Sequence, residues 1–185
     1  THRKLSSGIS STVGFKNNVD GGLMVAVNAI RSASATNSFI SVTEDGKVAM
    51  FRTGGNPHCH VILRGGKSPN YDAASVAACE EELQKAGLIE NVMIDCSHGN
   101  SNKDHRNQKL VLDEVAAQIN NGNKSIIGVM VESNLEEGNQ PIPDDLDDLK
   151  YGVSITDACI DWTTTETVLR EFAGSISESL KSRAV

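Results

Sequence analysis

Four short apolar runs along this chain each end on one charged or titratable side chain. The runs are VGFK, HVILR, VMIDCSH and IGVMVE, and they end on Lys16, Arg64, His98 and Glu132. Apolar runs of this length, bounded by Gly, Asn and Ser, are typical of buried strands. The pattern therefore predicts four strands, each with a polar side chain at its carboxyl end.

The spacing of these strands predicts a repeating unit of one strand and one helix. Thirty-four residues separate Arg64 from His98, and thirty-four separate His98 from Glu132. Forty-eight separate Lys16 from Arg64, and the excess is a predicted β-hairpin whose turn is the Glu-Asp-Gly-Lys sequence at 44–47. Strands and helices that alternate at this length indicate parallel strands in an α/β fold.

Helical periodicity, with Gly and Asn as stop signals, predicts the helices between and after the strands. A capping box between Thr163 and Glu166 is predicted to start the last helix. Residues 133–152, which are rich in Pro and Asp, are predicted to form a long loop, and such loops are usually functional or mobile. The predicted helices are 2–7, 23–35, 71–86, 103–120 and 166–182.

The fold class follows from where the polar side chains stand. No glycine-rich phosphate fingerprint follows any strand, as an open dinucleotide-binding sheet would require. Polar groups at every strand end favour a (β/α)8 (TIM) barrel, which typically needs about 250 residues. Because the chain has 185 residues, we expect 1–185 to be the C-terminal half of such a barrel, with an inserted β-hairpin. On this interpretation it is one partial catalytic domain whose N-terminal half is missing.

Composition limits the partners of the chain. A hydrophobic content of 38% and a charged content of 22% are those of a globular domain. The net charge of −7, with no Lys/Arg run, argues against binding to nucleic acid or to an anionic membrane. There is no secretory signal pattern and no apolar span of about 18 residues. The four Cys form no C-x-x-C pair, so reduced thiols and a cytoplasmic location are expected.

Three donors at the predicted strand ends suggest a metal site. His98, Glu132 and Asp157 offer one imidazole and two carboxylates, and a divalent first-row metal accepts such a mixed set while leaving a position open for substrate. Each residue also has a structural explanation, because a strand-end His is often hydrogen-bonded and acidic residues often cap helices. Cys96 could join His98 as a metal pair, although packing as a small buried hydrophobe is favoured for it and for the other Cys.

Two cations also emerge from apolar runs. Burying Lys16 or Arg64 without a partner is costly, so each either pairs with a carboxylate of a neighbouring strand or binds an anionic substrate. Arg matches phosphate or carboxylate with two hydrogen bonds, and Lys acts as a point charge. Gly65 and Gly66 would allow backbone amides to approach the same anion.

Five segments of the chain carry a resemblance to a known family. They are VGFKN at 13–17, ILRGGK at 62–67, MIDCSHGNSNK at 93–103, GVMVESNLEEGNQ at 128–140 and YGVSITDACIDW at 151–162. Together these segments resemble type I 3-deoxy-D-arabino-heptulosonate-7-phosphate (DAHP) synthase, particularly the feedback-regulated microbial subgroup and its fungal members. The resemblance covers essentially the whole chain, and the motifs occur in the same order. The chain departs from the family at Asp161, where many members have Gly, and at Cys96, where an aromatic residue is usual.

This resemblance implies an enzyme that condenses phosphoenolpyruvate with erythrose 4-phosphate, which opens aromatic amino-acid biosynthesis through the shikimate and chorismate pathway. It implies a divalent metal such as Mn, Fe or Co, held by His98, Glu132, Asp157 and a Cys on an early strand outside this chain. Lys16 and Arg64 correspond to contacts for the phosphate and carboxylate of phosphoenolpyruvate. The implied catalytic residues are Lys16, Arg64 and His98, and Asp157 is also implied in substrate binding.

The family also implies regulation and assembly. Its members carry a hairpin and neighbouring helix ends that bind an aromatic amino-acid effector, and a homo-oligomer is expected for the intact enzyme. Ordinary packing of the hairpin on the barrel is the alternative explanation for the residues concerned. The corresponding residues here are Leu5, Ile9, Ser10, Phe39, Ser41 and Val42.

The chain alone is expected to be inactive and poorly folded, because half of the implied site is absent and the outer strands would be unpaired edges. Two other interpretations remain open from sequence. One is a catalytically inactive half-barrel that serves as an effector-sensing or assembly module. The other is a related aldolase that uses another phosphosugar.

Overall fold

The computed structural model describes residues 2–183, and His2 by its backbone alone. These residues form six strands and five α-helices. The strands are β1 (Val13–Lys16), β2 (Asn37–Val42), β3 (Val48–Thr53), β4 (Cys59–Leu63), β5 (Val92–Asp95) and β6 (Ile126–Met130). The helices are α1 (His2–Ser6), α2 (Met24–Ser34), α3 (Ala73–Lys85), α4 (Gln108–Asn120) and α5 (Trp162–Lys181).

Four of the strands form one parallel sheet in the order β1-β4-β5-β6. In its register Lys16 lies opposite Ile62, and Asp95 lies opposite Met130, so the carboxyl ends of the strands meet at one edge of the sheet. A mixed α/β fold with a parallel sheet is therefore confirmed. Within residues 2–183 the sheet does not close, because neither β1 nor β6 pairs with a further strand.

Strands β2 and β3 form a separate two-stranded antiparallel sheet between α2 and β4 in the chain. The rings of Phe39 and Phe51 stack on one of its faces, with centroids 6.1 Å apart. Helix α1 packs against α2 and against β2. The predicted β-turn at 44–47 is present, and Gly46 adopts the left-handed φ of 76° that such a turn requires.

The core lies between the parallel sheet and the helices that cover one of its faces. Val61, Leu63 and Ile94 are at most 1% exposed and belong to one apolar cluster with buried residues of α2, α3, α4 and α5. The alternate strand positions, such as Ile62 and Met93, point to the other face and are only half-buried. Among the helices within residues 2–183, none is both long enough and apolar enough to cross a lipid bilayer.

Two helix starts differ from those that the sequence pattern predicts. Helix α4 begins at Gln108 rather than at residue 103, because Asn102 and Lys103 adopt left-handed φ angles of 55° and 62°. A one-turn 3-10 helix, His105–Asn107, precedes α4.

The last helix begins earlier than predicted. Helix α5 starts at Trp162, and the carboxylate of Asp161 caps it by accepting a 2.6 Å hydrogen bond from the Thr164 amide. The predicted capping box is wrong, since Glu166 instead accepts hydrogen bonds from Arg170 one turn further along. Asp at the N-cap satisfies the free amides of the first turn just as well as Ser or Thr would.

Candidate metal and anion site

The candidate site lies in the loops that follow the carboxyl ends of β4, β5 and β6. Arg64 is the first residue after β4, His98 is three residues beyond β5, and Glu132 is two residues beyond β6. Asp157 comes from the long segment between β6 and α5. These four residues therefore stand on loops, as is usual for functional groups on a rigid sheet, whereas the predicted site residue Lys16 is the last residue of β1.

Three of these side chains converge. The Nε2 atom of His98 lies 3.6 Å from an oxygen of Glu132 and 3.6 Å from an oxygen of Asp157. One ligand atom from each of the three lies within 4.8 Å of the others. Atoms bound about 2.1 Å from a common ion, at angles near 90–109°, are about 3.0–3.4 Å apart. The arrangement therefore matches a divalent cation after a small inward movement of the carboxylates.

The imidazole of His98 is held by a buried carboxylate. Its Nδ1 atom lies 2.9 Å from an oxygen of Asp95, whose side chain is 0% exposed. His98 adopts a left-handed φ of 48°, which is uncommon for a residue with a side chain. The contact between Nδ1 and Asp95 leaves Nε2 directed toward the two other donors.

Glu132 is fixed through both its carboxylate and its backbone. The Ser97 hydroxyl donates a 2.5 Å hydrogen bond to the Glu132 carboxylate. The side-chain amide of Gln108, which is 0% exposed, accepts from the Glu132 amide at 2.7 Å and donates to the Glu132 carbonyl at 3.0 Å. Asp157 is 69% exposed, so it is the least constrained of the three donors.

The segment that carries Asp157 is nevertheless anchored on both sides. Gly138 and Cys159 exchange two backbone hydrogen bonds, of 2.9 and 3.1 Å. His105, which precedes α4, lies 2.8 Å from a carboxylate oxygen of Glu137. The long loop predicted at 133–152 is therefore tied to the rest of the site.

The two predicted cations differ in their surroundings. The Lys16 ammonium forms an ion pair with Asp95 at 2.8 Å and remains 36% exposed. The Arg64 guanidinium makes no ion pair or side-chain hydrogen bond within residues 2–183. Arg64 lines a cavity of about 210 Å³ together with His98, Glu132 and Asp157. Of the two alternatives raised by the sequence, the structural ion pair is therefore present at Lys16, whereas Arg64 has no ion-pair partner among the described residues.

A second cavity, of about 220 Å³, adjoins the first and is lined by Arg64, Gly66, Gly99 and Lys103. A third cavity, of about 540 Å³, is unrelated to this site. It includes Asn91 and Ser125, which directly precede β5 and β6, and therefore lies at the opposite end of the sheet.

The glycines of the β4 loop serve close packing rather than anion binding. The Gly65 amide donates to the side chain of Asn70 at 2.7 Å, and the Gly66 amide donates to the Ser68 carbonyl at 2.9 Å. The expectation that these amides approach an anion is therefore wrong for this structure, because both are already used. A Cβ atom on Gly65 would lie 2.5 Å from the backbone of Gly99, so the two loops require glycine to meet.

A chain of asparagines holds these loops in register. Asn17 accepts from the Arg64 amide at 2.8 Å and donates to the Gly65 carbonyl at 2.9 Å. Asn70 donates its backbone amide to Asn100 at 2.8 Å. Asn17 and Asn100 are at most 3% exposed, and buried polar groups that are fully paired fix a unique arrangement.

The Cys residues are buried free thiols, as predicted. Burial raises the pKa of Cys96 and of Cys79 to about 12. The Cys96 thiol lies near the Ile94 carbonyl and is not part of the cluster of metal donors. A role for Cys96 as a thiolate ligand beside His98 receives no support from this geometry.

The supporting residues Asp95, Ser97, Gln108 and the asparagines were not predicted as functional from the sequence. Only Asp95 and Ser97 carried a local signal, because they precede His98 directly in the IDCSH segment. Gln108 contacts Glu132 across 24 residues, and no pattern in the sequence indicates such a contact.

The predicted effector residues are divided between two elements. Leu5 lies in α1 and Ile9 follows it, and both are about half exposed. Phe39 and Ser41 share one face of β2, whereas Val42 points to the opposite face and is 59% exposed. Ser10 is exposed beside Ile9.

Comparison with known proteins gives one family. A sequence profile of the DAHP synthetase I family matches residues 1–170. The Tyr-sensitive phospho-2-dehydro-3-deoxyheptonate aldolase of Salmonella typhimurium is 54% identical over 183 residues, which are 99% of this chain and 51% of that protein. A phospho-2-dehydro-3-deoxyheptonate aldolase of Alternaria alternata is also 54% identical, over 96% of this chain and 48% of its own length.

A solved structure gives the same result. The phospho-2-dehydro-3-deoxyheptonate aldolase of Francisella tularensis superposes with a TM-score of 0.88 at 46% sequence identity, over 95% of this chain and 51% of that one. The chain spans about half the length of the two curated relatives named above.

Proposed function

This chain belongs to the DAHP synthetase I family, and on that premise we propose that the complete protein condenses phosphoenolpyruvate with erythrose 4-phosphate and water to give DAHP and inorganic phosphate. This is the first step of the shikimate route to chorismate and the aromatic amino acids. The observation that carries the proposal is the convergence of His98, Glu132 and Asp157 beside two cations, Lys16 and Arg64.

The cations of the site suit an anionic enol ester. Arg64 is unpaired and can present two parallel donors to a phosphate or carboxylate. Lys16 supplies a point charge that remains partly exposed although it contacts Asp95. Together they hold phosphoenolpyruvate while its C3 atom forms a bond with the aldehyde carbon of erythrose 4-phosphate. Water then adds at C2, and phosphate leaves with cleavage of its C–O bond.

The residues present fit a divalent first-row metal such as Mn, Fe or Co. His98, Glu132 and Asp157 would hold it, and the imidazole has the carboxylate partner that metal-bound His residues usually have. When bound, the cation supplies Lewis acidity that polarises the aldehyde oxygen of erythrose 4-phosphate. Such a site is commonly completed by further ligands, and a Cys outside this chain is proposed as one of them.

We further propose that the parallel sheet is half of a (β/α)8 barrel, with 1–185 as one part of a single catalytic domain. The proposal is supported by the open edges at β1 and β6 and by the roughly half-length coverage of the relatives. The strands that complete the barrel would come from sequence outside the 185 residues. In that barrel, β2 and β3 form an inserted hairpin.

Regulation by an aromatic amino acid is proposed at α1 and the hairpin. Relatives are named for sensitivity to Tyr and to Phe. The proposed contacts are the six residues named above, of which Phe39 and Ser41 face one side of the hairpin. The other side exposes apolar side chains, including Ile40, Val48 and Met50, which is consistent with burial in a homo-oligomer. Thermal shifts of the complete protein with Phe, Tyr and Trp test the effector, and no shift with any of them refutes it.

The activity is tested with the product of the complete reading frame that encodes this chain. We expect phosphate release and consumption of phosphoenolpyruvate only when both substrates are present. A chelator should abolish turnover, and added Mn²⁺ should restore it. His98→Ala should remove activity and metal binding, whereas His58→Ala, at an exposed position, should change neither. Absence of DAHP from metal-supplied wild-type protein would refute the proposed function.

A further inference from the structure

Asp95 connects the proposed metal ligands to the proposed anion-binding residue Lys16. It ends β5, its side chain is 0% exposed, and its carboxylate accepts from three donors. Lys16 Nζ lies 2.8 Å from one oxygen, and His98 Nδ1 lies 2.9 Å from that oxygen and 3.1 Å from the other. The Ser97 amide donates to the second oxygen at 2.9 Å. One buried carboxylate therefore contacts both a proposed metal ligand and a proposed substrate cation.

The contact with Asp95 determines what the imidazole of His98 can do. Because a carboxylate only accepts hydrogen bonds, His98 Nδ1 carries the proton, and the lone pair of Nε2 is free. Nε2 is the ring nitrogen that lies 3.6 Å from the carboxylates of Glu132 and Asp157. A ring held in the other tautomer would place a proton between these three groups and exclude a cation.

The contact with Lys16 has a different consequence. Asp95 holds the ammonium at the end of β1, while about a third of the Lys16 side chain stays exposed. The ammonium can thus approach an incoming anion without losing its position. As it does so, the hydrogen bond between Lys16 and Asp95 weakens and the carboxylate becomes a stronger acceptor for His98.

We propose that Asp95 is a positioning residue that couples metal binding at His98 to anion binding at Lys16; this inference rests on the proposed function. A cation on Nε2 makes the Nδ1 proton a stronger donor to Asp95, which loosens the hold of Asp95 on Lys16. An anion bound at Lys16 weakens the ion pair between Lys16 and Asp95, and Asp95 then accepts a stronger hydrogen bond from His98 Nδ1. Each ligand therefore favours the other, and by linkage the effect on both affinities is the same.

The test uses the complete protein, with Mn²⁺ as the metal probe and phosphoenolpyruvate as the anion. The Mn²⁺ Kd is measured by the electron paramagnetic resonance signal of free Mn²⁺, with and without saturating phosphoenolpyruvate. We expect phosphoenolpyruvate to tighten Mn²⁺ binding by about 5- to 150-fold in the wild type. Asp95→Asn should weaken Mn²⁺ binding about 10- to 100-fold and should reduce the effect of phosphoenolpyruvate at least threefold.

Asp113→Asn is the matched control, because Asp113 also accepts from a lysine, Lys109, but lies on the outer surface of α4. Asp113→Asn should leave the Mn²⁺ Kd unchanged, both with and without phosphoenolpyruvate. If Asp95→Asn behaves like Asp113→Asn while remaining folded by circular dichroism, the proposed coupling is wrong. If the wild type shows the coupling and Asp95→Asn loses it, but no DAHP is formed, the proposed function is refuted and the role of Asp95 is still supported.

A second measurement does not depend on the folding of the variant. In metal-free wild type labelled with ¹⁵N-histidine, two-bond correlations distinguish the two tautomers of His98, with His98→Gln used to assign its signals. A proton on Nδ1 is expected. A proton on Nε2 alone would overturn the inference, since Asp95 could not then be orienting the ring for a cation.

Discussion

At the scale of single residues, the site separates groups that are held by the protein from groups that are left free for a ligand. Lys16, His98 and Glu132 each have a hydrogen-bonding partner within the chain. The side chain of Arg64 has none among the described residues, although its backbone amide is fixed by Asn17. The guanidinium of Arg64 is thus available to bind a ligand.

Replacing Arg64 with Lys should therefore affect binding rather than stability. Lys keeps the charge but loses the two parallel donors, and one lost charge-assisted hydrogen bond corresponds to about a tenfold increase in the KM for phosphoenolpyruvate. The Tm should not change, because the Arg64 side chain makes no hydrogen bond within the described chain. Steady-state kinetics and thermal unfolding measure the two effects.

Arg52→Lys is a suitable control, because Arg52 is exposed on β3, away from the site. An unchanged KM in Arg64→Lys would show that Arg64 does not contact the anion.

His60 is expected to make stability depend on pH. It is 5% exposed, and neither ring nitrogen has a hydrogen-bond partner among the described residues. Burial lowers the pKa of His60 below the ordinary histidine value of about 6.5. As the pH falls below about 6.5, His60 binds a proton in the unfolded chain more readily than in the folded chain. The contribution of neutral His60 to the free energy of unfolding is therefore complete above that pH and is lost progressively below it.

The measurement is the Tm of the wild type and of His60→Leu between pH 5 and 8. Below pH 6.5, the slope of Tm against pH should be smaller for His60→Leu than for the wild type. His58→Leu, at an exposed position two residues away, should keep the wild-type slope. Identical slopes in all three proteins would mean that folding does not change the pKa of His60, which would contradict this prediction.

At the scale of elements, the loops beyond the strands are held by hydrogen bonds to one another. The β6–α5 segment pairs with itself through Gly138 and Cys159, and it ends directly at the cap of α5. The position of Asp157 therefore depends on where α5 begins, and that start is set by Asp161.

Replacing Asp161 with Ala should lower Tm by about 2–4 °C, because the first turn of α5 loses its cap. Replacing Thr163 with Ala should have little effect, since Asp161 and not Thr163 accepts the hydrogen bond from Thr164. The backbone hydrogen bond from Thr164 lowers the pKa of Asp161. The difference in Tm between Asp161→Ala and Thr163→Ala should therefore be complete above about pH 4 and should disappear as the pH falls further. Equal Tm values at pH 7 would contradict this account of the cap.

At the scale of the whole molecule, the chain has a complete apolar core on one side of its sheet and an incomplete environment on the other. Val61, Val92 and Ile94 are 0% exposed beneath the helices. On the opposite face, Ile62 and Met130 are only half-buried. Strands β1 and β6 each have one edge without a partner strand in residues 2–183, and such edges promote association between chains.

The 185-residue chain expressed by itself is accordingly expected to make no DAHP and to associate. In hydrogen exchange, amides of β1 and β6 should be less protected in the isolated chain than in the product of the complete reading frame, whereas β4 and β5 should differ less. DAHP formation by the isolated chain, or equal protection of β1 in both proteins, would contradict the proposal that further strands complete the sheet.

The sequence by itself determined the elements and the residues at their ends. Apolar runs and a helical period are local patterns, and they were sufficient to predict the parallel strands and the hairpin strands. They placed Arg64, His98 and Glu132 at the ends of strands, whereas these residues lie one to three positions beyond those ends, in loops. Helix starts were predicted less well. The backbone at Asn102 and Lys103, and the choice of Asp161 as a cap, depend on how the loops pack rather than on periodicity.

Only the tertiary structure decided which groups meet. Lys16 and Asp95 are 79 residues apart in the chain yet form an ion pair, and Gln108 holds the backbone of Glu132 across 24 residues. The same packing used the amides of Gly65 and Gly66 internally and left Arg64 free. The physical reason is that a hydrophobic period specifies which face of an element is buried, whereas the partner of a polar group depends on the register between elements that are distant in the chain.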